Sequence, residues 1–125
     1  MSYPEIEWAR ECLQKAGLDF DVNCTYGSRS GKQYGRMYDF YVLKYNTIID
    51  FSGQDVIDRK SDRPIDRNAN ELKAGYRVII ISFSIKPSDK DLLCQYILAA
   101  LTDTKYRFIC LSKPKDKLLY LPDTF

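Results

Sequence analysis

The run Tyr76-Arg77-Val78-Ile79-Ile80-Ile81-Ser82-Phe83 constrains the fold of this chain more than any other stretch. It is the most β-prone segment present, and its apolar character is continuous rather than alternating, the pattern of a central strand covered on both faces. At 125 residues the chain can bury a real core but is too short for two domains, so residues 1–125 are expected to form a single one.

The segments around that run supply the covers and the neighbouring strands. Ser2-x-x-Glu5, with Pro4 between, predicts a helix that runs to about Ala16 and stops at Gly17, with Glu5 as the reciprocal partner of a capping box. Ile6, Ala9, Cys12, Leu13 and Ala16 fall near one face of it, and Glu7, Arg10, Glu11 and Lys15 face away. Phe20, Val22, Cys24 and Tyr26 alternate with Asp21, Asn23 and Thr25, the period of a half-exposed strand. The stretch from Tyr38 to Gln54 holds two apolar runs, Asp39 to Val42 and Thr47 to Phe51, joined by Leu43-Lys44-Tyr45-Asn46, and reads as a β-hairpin. A charged, irregular segment from Asp55 to Pro64 leads into a helix from about Ile65 to Ala74, closed by Gly75. Beyond the central strand, Pro87-Ser88-Asp89 opens a helix with Leu92, Leu93, Tyr96, Ile97, Ala100 and Leu101 on its apolar face, ending near Thr102. Two short strands, Tyr106 to Leu111 and Leu118 to Leu121, flank the turn Lys113-Pro114-Lys115-Asp116. The predicted order is αβββαβαββ, an α/β fold with helices packed on a mixed sheet, and the passage from Thr47 to Phe83 permits a parallel crossover.

Each strand of the hairpin carries one aspartate among apolar neighbours. Asp39 lies near the start of the first strand and Asp50 near the end of the second, so an antiparallel hairpin sets both at the same end of the ribbon. A carboxylate buried there without a partner costs several kcal/mol, and two close together repel unless a cation or a shared proton lies between them. The structural alternatives are local: Asp39 capping a strand end or pairing with Arg36, and Asp50 capping the turn at Ser52-Gly53.

Composition narrows the chemistry. The chain has no histidine, which removes every Ser-His, Cys-His and His-ligand mechanism. Catalysis would have to use carboxylates, lysine, tyrosine or a metal held by oxygen. Cys12, Cys24, Cys94 and Cys110 are widely spread, and a zinc site would need all four; they read as small buried apolar residues of a reduced cytosolic protein. With no membrane-length apolar run and an acidic rather than basic N-terminus, the chain is expected to be soluble and intracellular, in cytoplasm or nucleus. Nineteen basic against seventeen acidic residues give a net charge of +2, short of the excess that marks many nucleic-acid binders. The basic character is local: the loop from Gly27 to Arg36 combines Arg29, Lys32 and Arg36 with Tyr34 and three glycines, a composition suited either to a phosphate backbone or to a plain surface loop.

The residues Asp39-Phe-Tyr-Val, Tyr45-Asn46, Ile48-Ile49-Asp50-x-x-Gly53, Asp66-Arg67, Leu72 and Gly75-Tyr76-Arg77-Val78-Ile79 together resemble the core of the very-short-patch repair endonucleases, members of the PD-(D/E)XK, restriction-endonuclease-like superfamily. The resemblance spans roughly residues 2–101. It implies a restriction-endonuclease-like fold and a Mg²⁺- or Mn²⁺-dependent endonuclease acting on DNA. Asp39 would stand for the first metal-binding aspartate and Asp50 for the acidic residue of the second strand, with Glu5 matching a helical glutamate that some relatives add. Hard cations prefer such carboxylate oxygens, and a metal so held can activate water and neutralise charge on a phosphate.

Two residues beyond Asp50, where the superfamily motif has lysine, this chain has Ser52, and neither the acidic residue nor the later histidine of many close relatives is present. Gln54 could supply a polar group and Lys60 a migrated lysine. Lys60 and Arg67, with the basic loop, complete the expected nucleic-acid contacts. Loss of the usual water-orienting group implies slow catalysis or none. The alternatives are a catalytically inactive nuclease-fold module that binds nucleic acid, or a subunit of a larger assembly or homodimer using its ten tyrosines at an interface.

Overall fold

The computed structural model describes residues 4–25, 37–52, 69–82, 90–113 and 116–120. In chain order these form α1 (Pro4–Lys15), β1 (Phe20–Thr25), β2 (Met37–Val42), β3 (Thr47–Ser52), α2 (Ala69–Lys73), β4 (Arg77–Ser82), α3 (Lys90–Thr102), β5 (Phe108–Lys113) and β6 (Asp116–Tyr120). The strands make one mixed sheet in sequential order, β1-β2-β3-β4-β5-β6. The β3–β4 and β4–β5 pairs are parallel and the other three are antiparallel. Element order and mixed sheet agree with the expectation from sequence. Residues 65–68 and 87–89, where the helix starts were expected, lie outside the described residues.

The strand β4 is central, and its unbroken apolar run is needed because both its faces are covered. Ile79 and Ile81 pack with Phe40, Ile49 and Ile109 of neighbouring strands and with Ala9, Leu13, Leu93 and Ile97 of α1 and α3. On the opposite face Val78 and Ile80 join Phe108, Cys110 and Leu72 of α2. Each such aliphatic side chain contributes about 1.5–3 kcal/mol when fully buried.

Both α1 and α2 end in the same way. Leu18 N–H donates to Leu13 O and Gly17 N–H to Gln14 O; Tyr76 N–H donates to Glu71 O and Gly75 N–H to Leu72 O. These paired bonds require a left-handed residue after the helix, supplied by Gly17 at φ 71° and Gly75 at φ 100°.

Arg77 opens β4 and is 91% buried, its exposure being 9%. A guanidinium has five N–H donors, and all five are used here. Nε donates to Tyr106 O, Nη1 to Thr47 Oγ1 and Leu101 O, and Nη2 to Ala100 O and Asp103 O, at 3.0–3.1 Å. Three of those carbonyls belong to the last turn of α3 and the residue beyond it, where unpaired carbonyls and the helix dipole both favour a cation. Burial pushes Arg77 below its ordinary pKa, opposed by Asp103 and Tyr45. Arg107 has a parallel role at the end of α2, donating to Leu72 O and Tyr76 O.

Two expectations are corrected. Cys12 and Cys94 are not independent thiols: they form a disulfide across 82 residues of sequence, with Cα atoms 5.5 Å apart, a normal span for such a bond. The cause is the packing of α1 beside α3, which no cysteine spacing reveals. Val22 does not turn a buried side to the core as its alternation suggested; it is 49% exposed. It lies on an edge strand whose cover reaches Phe20, stacked edge-on against Phe40 at 5.8 Å.

Replacing Arg77 by Met is expected to destabilise the domain by at least about 3 kcal/mol in a urea titration, since several buried carbonyls lose their only charged donor. Arg77→Lys should recover less than half of that loss, because one ammonium cannot reproduce a planar five-donor fork.

Candidate functional site

The hairpin turn and the aspartates occupy opposite ends of the β2–β3 ribbon. At the turn, Asn46 adopts φ 50°, accepts a 2.6 Å hydrogen bond from Tyr41 OH and donates to Gly75 O at 3.0 Å. Arg77 N–H donates to its backbone oxygen at 2.9 Å, tying the hairpin to the start of β4. The register Val42↔Thr47, Tyr41↔Ile48, Phe40↔Ile49 then runs away from the turn. Asp39 is one residue before that paired segment and Asp50 one residue after it, so both lie together at its far end.

Asp39 is half-buried, and its Oδ2 accepts the Phe51 N–H at 2.9 Å. The carboxylate thus holds the two strands together where the regular β2–β3 pairing stops. This is the strand-end role that the sequence offered as one local alternative; the other partner, Arg36, lies outside the described residues. Asp50 is half-buried and paired in register with Ile80, which sets it on the face covered by α2.

Next to Asp39, Tyr38 is fully buried and its hydroxyl donates to Glu71 Oε1 of α2. Glu71 is only 6% exposed, and its Oε2 has no hydrogen-bond partner among the described residues. Sequence reasoning passed over this pair. Its signal was a glutamate inside a helix flanked by the strand whose both faces had to be covered, a place where a carboxylate needs a buried donor.

Glu5 is 7% exposed in the first turn of α1, and its Oε2 likewise has no hydrogen-bond partner among the described residues. Ser2, its expected capping partner, lies outside the described residues. The helix carrying Glu5 packs on the sheet face opposite to that of Asp50. Among the described residues, no three His, Cys, Asp or Glu side chains converge closely enough to hold a metal ion.

Gln54, Arg29, Lys32, Tyr34, Arg36, Lys60 and Arg67 lie outside the described residues, but the strand ends that flank their segments are defined. Thr25 pairs with Met37, bracketing residues 26–36, and Ser52 pairs with Ser82 at the starts of 53–68 and 83–89. All four of these ends are on the Asp39–Asp50 side of the sheet. It is also the carboxyl end of the parallel strands β3 and β4, the edge where open α/β sheets receive ligands. The hairpin turn, the Arg77 clamp and the start of β4 are at the other end.

Comparison with known proteins gave no match: no family model, no curated protein and no solved structure aligns significantly with this chain. No helix among the described residues is long and apolar enough to cross a membrane.

The Phe51 contact gives Asp39 a structural role that can be separated from any ligand role. Asp39→Ala should cost about 1–3 kcal/mol of stability by orphaning the Phe51 N–H, whereas Asp39→Asn, whose amide oxygen can still accept, should cost less than about 1 kcal/mol in the same denaturation experiment.

Proposed function

We propose that the chain is a restriction-endonuclease-like domain that hydrolyses DNA phosphodiesters weakly, with a divalent cation at the Asp39–Asp50 end of its sheet. The observation that carries this reading is the pairing of two half-buried aspartates at one end of the central ribbon, with Asp39 oriented by Phe51 N–H. The αβββαβαββ order and the mixed sheet, helices on both faces, support the fold assignment.

The donor set suits Mg²⁺ or Mn²⁺. Such cations take oxygen ligands, and Mg²⁺ is commonly held by only one or two carboxylates, with water and substrate phosphate completing the shell. Asp39 and Asp50 would hold it. When bound, the ion would lower the pKa of a water and offset charge on the phosphate under attack. In this reading Phe51 N–H fixes one oxygen of Asp39 and thereby sets the direction of the other. Glu5, whose helix packs on the opposite face of the sheet, takes no part in this site, and Gln54 supplies a polar group near the reacting phosphate. Arg29, Lys32, Tyr34, Arg36, Lys60 and Arg67 belong to segments anchored at this end of the sheet, where DNA phosphates would be gripped.

Ser52 at the superfamily's lysine position favours a second reading, a nuclease-fold module that binds DNA or an assembly partner without cleaving. A plasmid-nicking assay separates them. The first reading expects Mg²⁺-stimulated nicking that Asp39→Asn and Asp50→Asn each reduce at least about 100-fold, beyond the usual loss from an outer-shell partner, with the fold retained and melting temperatures lowered by no more than about 5 °C. DNA binding that survives both substitutions, with no nicking by the unaltered chain, would establish the second reading instead.

A further inference from the structure

The packing of α1 on α3 creates a feature unconnected with the aspartates. Cys12 is buried and Cys94 half-buried, and their disulfide floors a small cleft of about 40 Å³ that Trp8, Glu11, Lys15 and Lys90 also line. Trp8 and Lys90 each precede one of the cysteines by four residues, one helical turn, so they flank the bridge. The rim is exposed to solvent: Lys90 Nζ meets Glu11 Oε2 at 2.7 Å, with both side chains nearly half exposed.

We propose that Cys12–Cys94 is a reversible thiol–disulfide exchange site, entered from the cleft at the half-buried Cys94 by a small dithiol and able to switch without unfolding the domain. Two observations carry this. The bond is reached through a cleft rather than sealed in the core, as exchange requires. The same geometry also suits the reduced pair, because Cys12 Sγ lies 3.7 Å from the Cys94 carbonyl oxygen and can donate its S–H there. Breaking the bond leaves the rest of the interface intact, since Ala9 and Leu13 still pack in one cluster with Leu93 and Ile97 and the Lys90–Glu11 pair remains.

The exchange balances as follows. One thiolate of the dithiol attacks Cys94 Sγ, the Sγ–Sγ bond breaks, and Cys12 leaves as a thiolate that takes a proton from water. The second thiol of the reagent loses its proton and attacks the reagent's other sulfur in the mixed disulfide, closing a cyclic disulfide and releasing the Cys94 thiolate, which takes up a proton. The protein gains two electrons and two protons, and the dithiol loses the same.

The test uses the native full chain in dithiothreitol, followed by alkylation and peptide mass spectrometry, with fluorescence from the single tryptophan, Trp8, read in parallel. The expected result is labelling of both Cys12 and Cys94 with helical circular dichroism retained. Trp8 emission should rise as the quenching disulfide opens, and oxidised dithiothreitol should reverse both signals. Cys94→Ser should abolish the fluorescence response. Protection of both cysteines until denaturant is added would overturn the proposal by showing a closed structural bond. So would full labelling after treatment with oxidised dithiothreitol, which would show that no bond forms. The labelling of the unaltered chain decides between these outcomes even where Cys94→Ser fails to fold.

Discussion

The buried guanidinium of Arg77 is the interaction on which the arrangement of this domain depends. A charge taken out of water at the start of a central strand is tolerated only if its donors are met, and each of them is. Its partners come from three directions: Thr47 at the start of β3, the end of α3, and the segment leading into β5. One side chain therefore fixes where α3 stops, how it meets the sheet and how β3, β4 and β5 start in register. Its backbone N–H joins the hairpin turn through Asn46 O. The clamp uses carbonyls rather than a carboxylate, so it is geometrically exacting and gives rigidity where the strands begin.

That rigid anchoring is confined to one end of the sheet. The clamp, the Asn46 turn and the glycine cap of α2 gather at the beginning of β4, while Asp39, Asp50 and the strand ends leading to the basic segments gather at its finish. Carboxylates are poor building material at a sheet end, where they must be paired or solvated. Phe51 N–H meets that need for Asp39 through one oxygen. The buried Tyr38–Glu71 contact adjoins the same strand end, so polar groups accumulate at this edge of an otherwise apolar sheet.

The element order, the central position of β4 and the parallel crossover from β3 to β4 could be read from the sequence because each depends on local period and composition, whereas the parallel β4–β5 pairing was not foreseen. The continuous run from Val78 to Ile81 needed two covers, and the glycines at 17 and 75 marked helix ends through their backbone freedom. The placement of Asp39 and Asp50 at one end of the ribbon followed from hairpin arithmetic. What escaped depends on contacts between distant segments. Arg77 was passed over inside a run read as continuously apolar, and four of its five acceptors are backbone carbonyls, which carry no sequence signature. The Cys12–Cys94 bond follows from helix packing, and the Tyr38–Glu71 pair joins a strand to a helix that propensity alone could not orient. Val22 has the alternation of a buried face, yet an edge strand is covered only as far as its neighbouring helices extend.

The central claim is that Asp39 and Asp50 form one cation site at the carboxyl end of the sheet. Anomalous diffraction from crystals soaked in Mn²⁺ tests it most directly. The account predicts an anomalous peak between the two carboxylates, at oxygen-coordination distance from both. A soaked crystal with manganese bound elsewhere, or with no peak between Asp39 and Asp50, would contradict it.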